Sequence, residues 1–109
     1  MNWIALESAT QLDEIKQIPG YSIIFKHSTR CATSMMAKRR FELDWDSLPE
    51  EIPLYFLDLI KHRELSNRIA HDFHVYHESP QLLLIKDGEC ILDQSHGGIS
   101  VEEALEMVG

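Results

Sequence analysis

The sequence has few cysteines, few basic residues and no long apolar run. Two cysteines in 109 residues are too few for the disulfide framework that holds small secreted domains together. Ten basic against eighteen acidic residues give a net charge of −8, which repels nucleic acids and anionic membranes. The first twenty residues carry acids and show neither a signal peptide nor a membrane span. We therefore expect a cytoplasmic protein without nucleic-acid or membrane partners.

The residues that are present fit one compact folding unit. The chain is 44% hydrophobic and 26% charged, which is typical of a globular domain with a core of its own. Repeats, low-complexity segments and linker-like stretches are absent from the sequence. We predict a single domain over residues 1–109.

Short apolar segments alternate with amphipathic ones along the chain. The pattern predicts strands at residues 3–6, 21–26, 54–59, 81–86 and 89–93. It predicts helices after Ser8, after Cys31, around residues 65–73 and from Ser100. Residues 21–26 are apolar on both faces, which indicates a central strand covered by helices on each side. Asp87 and Gly88 form the two-residue signal of a hairpin between the last two strands.

Capping boxes mark the start of the first and last helices. Ser8 is followed three residues later by Gln11, and Ser100 stands in the same relation to Glu103. Pro19 and Gly20 stop the first helix before the central strand. We expect the last helix to bury the apolar side chains that recur along one face, namely Val101, Ala104, Leu105 and Val108.

The complete order is βαβαβαββα, with Cys31 at the junction of the central strand and the helix that follows it. An α/β protein with this order, a central mixed sheet and helices on both faces resembles the thioredoxin fold. In that fold a cis-proline at the start of the first hairpin strand faces the active cysteine. Pro80 immediately precedes the strand that begins at Gln81, so we predict that the Ser79–Pro80 bond is cis.

Cys31 lies where a thiolate is favoured. At the first turn of a helix, unpaired backbone N–H groups, here those of Thr33 and Ser34, and the helix dipole stabilise negative charge. Arg30 and the basic run at residues 38–40 either add positive potential or form a solvated helix face. A structural buried cysteine would suit this polar turn poorly.

Ser34 limits the redox chemistry that is open to Cys31. A Cys-x-x-Cys pair closes an internal disulfide, whereas Cys31 followed by Ser34 forms only a mixed disulfide with another molecule. Cys90 lies beside the predicted hairpin, at the opposite end of the sheet. The six residues from Cys90 to His96 span about 20 Å in a strand, whereas a disulfide needs Cα atoms within roughly 7 Å. Cys90 is therefore predicted to be structural.

Five stretches resemble one family, the YtxJ-like monothiol bacilliredoxins of the bacillithiol redox system. They are KHSTRC at 26–31, YFLDL at 55–59, RELSNRIA at 63–70, HESPQ at 77–81 and SH at 95–96. The resemblance implies a thioredoxin-like fold and removal of bacillithiol from S-bacillithiolated proteins, with Cys31 as the attacking thiol. It also implies support from the surrounding motif residues His27, Thr29, Arg30 and Ser34. The family usually has proline after the cysteine, where this chain has Ala32, so the proline that rigidifies a first helical turn is missing.

Substrate would bind around two further motifs. Ser79 and Pro80 offer backbone groups for an antiparallel contact with a thiol substrate. Gly97 and Gly98, predicted at the N-terminus of the last helix, either bind a carboxylate through bare N–H groups or only turn the chain. The expected partners are S-thiolated client proteins and a low-molecular-weight thiol such as bacillithiol as co-substrate. We expect no tightly bound cofactor and no metal, because the histidines do not form a four-ligand set.

Two other functions fit the same residues. One is a glutathione-dependent monothiol glutaredoxin-like protein, because the choice of small thiol depends on a few pocket contacts. The other is a non-catalytic thioredoxin-like binding module in which Cys31 senses the redox state.

Overall fold

A computed structural model describes residues 1–108 and contains five strands and four α-helices in that range. The strands are β1 (Trp3–Ala5), β2 (Tyr21–His27), β3 (Leu54–Asp58), β4 (Gln81–Lys86) and β5 (Glu89–Ser95). The helices are α1 (Ala9–Gln17), α2 (Ala32–Asp44), α3 (Arg63–Asp72) and α4 (Val101–Val108), with short 3-10 helices at Trp45–Ser47 and His96–Gly98. None of these helices is long and apolar enough to cross a bilayer. The predicted order βαβαβαββα is confirmed.

The five strands form one mixed sheet in the order β1-β3-β2-β4-β5. β1 and β2 each pair with β3 in parallel, as the helical crossovers between them require. β4 runs antiparallel to both β2 and β5. β2 is therefore the central strand, and its C-terminal end meets the N-terminal end of β4. The thioredoxin-like architecture expected from the sequence is confirmed.

Two apolar clusters cover the two faces of the sheet. One contains alternate β2 residues together with the buried faces of α2 and α4, including Ile23, Phe25, Phe41 and Ala104. The other contains the opposite β2 face with α1 and α3, including Ile24, Leu12 and Ile69. The continuous apolar run of β2 follows from this burial on both sides.

The β4–β5 hairpin turns at the predicted Asp87-Gly88 pair. Both residues have positive φ, at 50° and 84°, which the tight two-residue turn requires. A Cβ on Gly88 would lie 2.5 Å from the backbone oxygen of Lys16, so the close approach of α1 also requires glycine. Asp87 ties the turn to the start of β2, because Gly20 N–H donates to Asp87 Oδ1 at 2.7 Å. The hairpin thus lies at the opposite end of β2 from Cys31.

Around α4 and at the end of α2, the structure differs in detail from the sequence prediction. α4 begins at Val101, so Gly97 and Gly98 lie in a separate 3-10 turn and not at the N-terminus of the last helix. Leu105 is 36% exposed and was wrongly predicted to be buried, because α4 turns only Val101 and Ala104 fully into the core. α2 ends at Asp44, and Trp45 packs on the core from the following 3-10 helix.

The two predicted capping boxes form in different ways. At α1, Gln11 N–H donates to Ser8 Oγ at 3.2 Å, and the Gln11 side chain accepts from the N–H of Glu7 at 2.7 Å. At α4, Glu103 N–H lies 3.5 Å from Ser100 Oγ. The Ser100 N–H donates to Gln94 instead of Glu103. The first cap is therefore the stronger one.

Ser8→Ala is expected to lower the free energy of unfolding by about 1 kcal/mol, because it leaves a first-turn N–H of α1 without its acceptor. Ser47→Ala, at an exposed serine that caps nothing, serves as the control and should change stability by less than about 0.5 kcal/mol. Urea denaturation measures both. Equal losses from the two substitutions would contradict the cap at Ser8.

Candidate thiol site

The candidate site forms where four segments meet at the C-terminal end of β2. His27, the last residue of β2, lies opposite Asp58 of β3, and its carbonyl accepts the N–H of Leu59 at 2.8 Å. On the other side, Lys26 lies opposite Gln81, the first residue of β4. Pro80 therefore precedes β4 at this same edge.

The end of β5 closes the edge on its far side. Pro80 C=O accepts the N–H of His96 at 3.2 Å. The Ser79–Pro80 bond is cis, which confirms the prediction from the sequence. Pro80 itself is buried, and Ser79 Oγ is buried without a hydrogen-bond partner among residues 1–108. Sequence reasoning placed Ser79 and Pro80 at the edge where Cys31 follows, and the structure puts them there.

Cys31 occupies the N-cap position of α2, and its free thiol is half-buried. Its N–H donates to Ser28 C=O at 3.1 Å, which closes the turn after β2, and its C=O accepts from Met35 N–H at 3.0 Å. Within the described chain, its sulfur makes no capping hydrogen bond, so the N–H groups of Thr33 and Ser34 do not bind it as the sequence led us to expect. α2 therefore gives the Cys31 sulfur no direct backbone hydrogen bond.

Ser34 is a fully buried residue that links α2 to the end of β2. Its Oγ accepts the N–H of Ser28 at 3.0 Å and lies 2.6 Å from His27 Nδ1. Both hydrogen-bonding roles of the Ser34 hydroxyl are used when it donates to Nδ1, because its oxygen already accepts the Ser28 N–H. Ser34 thus fixes both ends of the turn that carries Cys31.

His27 is neutral in this arrangement. It is only 5% exposed, and burial followed by the nearby Lys38 charge lowers its pKa, against the smaller opposing effect of Asp58. With Nδ1 accepting from Ser34, the ring proton lies on Nε2. Phe25 and Phe56 flank the ring, with centroids 6.4 and 5.3 Å away. His27 is therefore a neutral side chain whose donor is Nε2–H.

The remaining predicted residues of this motif are exposed. Thr29 and Arg30 form the surface of the turn before Cys31. The basic run on α2 is partly engaged in hydrogen bonds and partly solvated. Arg40 donates to the carbonyls of His96 and Ile99, whereas Arg39 is solvent-exposed. Gly97 and Gly98 are exposed beside this contact, two residues or more ahead of α4.

A buried lysine at the same edge was missed by the sequence analysis. Lys26 is fully buried, and its Nζ donates to Ser66 C=O at 3.2 Å and lies 3.4 Å from His77 Nδ1. Ser66 Oγ also contacts His77 Nδ1, at 3.3 Å. Burial lowers the pKa of Lys26 to about 8. The signal for this network was a charged residue at an inward position of an otherwise apolar strand.

The other histidines and acids do not form a metal centre. Over residues 1–108, His, Cys, Asp and Glu side chains do not gather in groups of three or more that could hold an ion. His96 instead pairs with Glu78 across the edge, with 3.3 Å between Nε2 and Oε2. His74 lies in a loop position with φ of 58°, and His62 precedes α3.

Cys90 lies far from the candidate site along the sheet. It pairs with Ile85 next to the hairpin, and its thiol contacts Leu92 C=O at 3.4 Å. Burial raises the pKa of Cys90 to about 11. Both cysteines are free, and the predicted placement of Cys90 at the opposite end of the sheet is confirmed.

Alkylation of the native protein with iodoacetamide at pH 8 is expected to modify Cys31 while Cys90 stays largely free. At this pH the thiolate fraction of a thiol with a pKa of about 11 is roughly one thousandth. Peptide mapping after partial reaction measures the ratio. Cys90→Ser should leave the fast phase unchanged, and equal labelling of the two cysteines would contradict the burial of Cys90.

A lone thiol at the helix start that follows the central strand, with a cis-proline before the neighbouring strand at the same edge of the sheet, is the arrangement of a thioredoxin-fold protein. The profile of the family described as monothiol bacilliredoxin BrxC matches residues 4–104. The chain belongs to this monothiol bacilliredoxin family. The resemblance in the KHSTRC and HESPQ motifs is thereby confirmed.

Solved structures agree with this assignment. One described as a candidate oxidoreductase with a thioredoxin fold is 30% identical, with a TM-score of 0.81 over 95% of this chain and 91% of that one. Thioredoxin from Malassezia sympodialis is 19% identical, with a TM-score of 0.74 over 95% of this chain and 88% of its own. Mitochondrial thioredoxin 3 from Saccharomyces cerevisiae is 14% identical, with a TM-score of 0.74 over 94% and 92%. The two thioredoxins share the fold, and the family match identifies a monothiol redox protein.

Proposed function

We propose that this protein removes bacillithiol from S-bacillithiolated client proteins. The Cys31 thiolate attacks the bacillithiol sulfur of the client's mixed disulfide. The sulfur–sulfur bond of the client breaks, the client sulfur leaves as a thiolate and takes up a proton, and a new disulfide joins Cys31 to bacillithiol. The exchange is redox-neutral, because one disulfide replaces another.

One observation carries this proposal: the single thiol at the start of α2 has a serine where a resolving cysteine would stand. Ser34 is buried and engaged with Ser28 and His27, and Cys90 lies at the other end of the sheet. The chain therefore holds no second thiol that can reach the adduct on Cys31. A free small thiol, bacillithiol in this proposal, must attack the adduct and leave as the small disulfide.

The surrounding residues would support the exchange in different ways. His27 and Ser34 hold the turn that carries Cys31, while Thr29 and Arg30 form its exposed surface. Backbone groups at Ser79 and Pro80 would receive the substrate alongside the sulfur. We set the reaction in the cytoplasm, because a resting free thiol on Cys31 needs a reducing compartment.

A paired transfer assay tests the choice of thiol. One client protein is prepared with bacillithiol and, separately, with glutathione on the same cysteine, and release of the client thiol is followed with each. We expect release from the bacillithiol form to be at least about tenfold faster, which is ~1.4 kcal/mol of discrimination. Equal or faster release of glutathione would support the glutaredoxin-like function instead. Release from neither form would support the non-catalytic binding module.

A further inference from the structure

A groove runs along the flank of α2 beside the candidate thiol site. It encloses about 610 Å³, within the range of small-molecule sites. We call it the α2 groove. Its apolar wall contains Met35, Met36 and Phe56, and Lys38 and Arg39 line its rim. Met35 and Met36 are 57% and 68% exposed, so this wall is uncovered in the monomer.

The α2 groove lies beside the turn that carries Cys31, although Cys31 itself does not line it. Thr29 and Ala32, two residues before and one residue after Cys31, both line it. The residues on both sides of Cys31 along the chain therefore border the groove.

The α2 groove is lined by a buried hydrogen-bond donor that has no partner within residues 1–108, the Nε2–H of His27. His27 lines it and is 95% buried, with Nδ1 already engaged by Ser34. Its Nε2–H has no hydrogen-bond partner among residues 1–108. The fully buried side-chain atoms that lack a partner there are Ser22 Oγ and Ser79 Oγ, so His27 Nε2 retains access to the groove. A donor in this state needs an acceptor from a ligand or from water.

The charge of the groove favours an anion. Lys38 is neutralised by Glu42 at 2.8 Å, and Trp3 Nε1 donates to the same carboxylate at 2.7 Å. Burial alone would raise the pKa of Glu42, but these two hydrogen bonds hold it below its usual value, so the carboxylate stays charged. Arg39 then remains as an uncompensated positive charge at the rim, in a chain with a net charge of −8.

We propose that the α2 groove binds the carboxylate-bearing, non-sulfur part of the low-molecular-weight thiol whose sulfur is exchanged at Cys31. This inference rests on the proposed function for its ligand. Arg39 and the Nε2–H of His27 bind the carboxylate oxygens, and the methionine wall packs against the carbon skeleton. Bacillithiol, whose non-sulfur end carries carboxylates, has the required chemistry. In this proposal the carboxylate binds in the groove and not at Gly97 and Gly98, which lie ahead of the N-terminus of α4.

Binding of S-methyl bacillithiol, which cannot form a disulfide, tests the groove without the exchange reaction. The reduced protein is labelled with ¹³C at the methionine methyl groups and titrated, with the signals followed by NMR. The Met35 and Met36 signals are expected to shift and saturate, while that of Met107, exposed on α4, stays in place. Arg39→Gln should weaken the Kd about tenfold. Lys86→Gln, which removes the same charge at the hairpin end of the sheet, should leave the Kd unchanged.

These measurements distinguish a failure of ligand binding in the α2 groove from a failure of bacillithiol exchange at Cys31. The absence of saturable shifts at Met35 and Met36, or an Arg39→Gln Kd equal to that of the wild type, overturns the groove even if Cys31 exchanges bacillithiol. Tighter binding of S-methyl glutathione overturns the assignment to bacillithiol. Shifts induced only by an S-methylated client peptide also overturn it, because the groove then belongs to the client. Saturable, Arg39-dependent binding supports the groove even if transfer from a client fails.

Discussion

Cys31→Ser is expected to lower the rate of bacillithiol removal by about a thousandfold or more, ~4 kcal/mol in activation free energy. The reaction needs a thiolate nucleophile, and an alcohol is not appreciably ionised at neutral pH. The serine side chain is nearly the same size and stands at a half-exposed helix start, so the fold should be retained. Release of the client thiol, measured with a chromogenic disulfide, gives the rate.

Cys90→Ser is the matched control for this substitution. It removes the other thiol of the chain, which is packed against the α1 and α3 face of the sheet near the hairpin. The control should keep at least half of the wild-type rate per folded molecule. If Cys90→Ser lost activity and Cys31→Ser kept it, the exchange would take place at Cys90, at the hairpin end of the sheet. That result would refute the proposed role of Cys31.

Lys26→Met is expected to raise the free energy of unfolding at pH 7 by about 3 kcal/mol. The lysine is fully buried, and its contacts are a carbonyl and a histidine nitrogen. Methionine has a similar length and needs no hydrogen bond, so it should fill the same space between β2 and α3. Replacement of a buried charge by an apolar side chain removes its desolvation cost.

The stability gained by Lys26→Met should depend on pH, because Lys26 loses its charge at a lower pH in the folded chain than in the unfolded one. Burial lowers the pKa of Lys26 from 10.5 to about 8 in the folded chain. Between these two values the unfolded chain binds the extra proton, so the stability of the wild type rises with pH across this range. The penalty is complete below pH 8 and disappears above about pH 10.5. The advantage of Lys26→Met should therefore shrink between pH 8 and pH 10.5.

Urea denaturation of wild type and Lys26→Met at pH 7, 9 and 10.5 measures this effect. Lys86→Met removes an exposed lysine at the other end of the same pair of strands and should show no comparable gain. A Lys26→Met protein that is less stable than wild type at every pH would mean that the hydrogen bonds to Ser66 and His77 outweigh the desolvation of the amine.

The fold could be predicted because the strand, turn and helix-cap patterns along the sequence all indicate the same order of elements. The apolar run at β2, the Asp87-Gly88 turn and the cap at Ser8 each depend on neighbouring residues, and all three form as expected. Pro80 was placed by its position before β4, and Cys31 by its position after β2. These are features of chain order, which a sequence carries directly.

The contacts within the site could not be predicted in the same way. The pairing of His27 with Ser34 and of Lys26 with His77 depends on which face of β2 each side chain takes and on which element covers that face. The start of α4 after Ser100 was predicted correctly, but Gly97 and Gly98 were wrongly placed at that helix start, because their turn lies only two residues ahead of it. Leu105 follows the helical period and is nevertheless 36% exposed, because α4 buries only Val101 and Ala104 in its cluster.

A single-turnover experiment shows whether Cys31 takes bacillithiol from a client protein. Equal amounts of reduced protein and S-bacillithiolated client are mixed without any other thiol, quenched with acid and analysed by intact mass and peptide mapping. We expect one bacillithiol on Cys31, an equal amount of restored client thiol and an unmodified Cys90. A protein two hydrogens lighter with a Cys31–Cys90 bridge and free bacillithiol in solution, or a client that keeps its bacillithiol, would contradict this expectation.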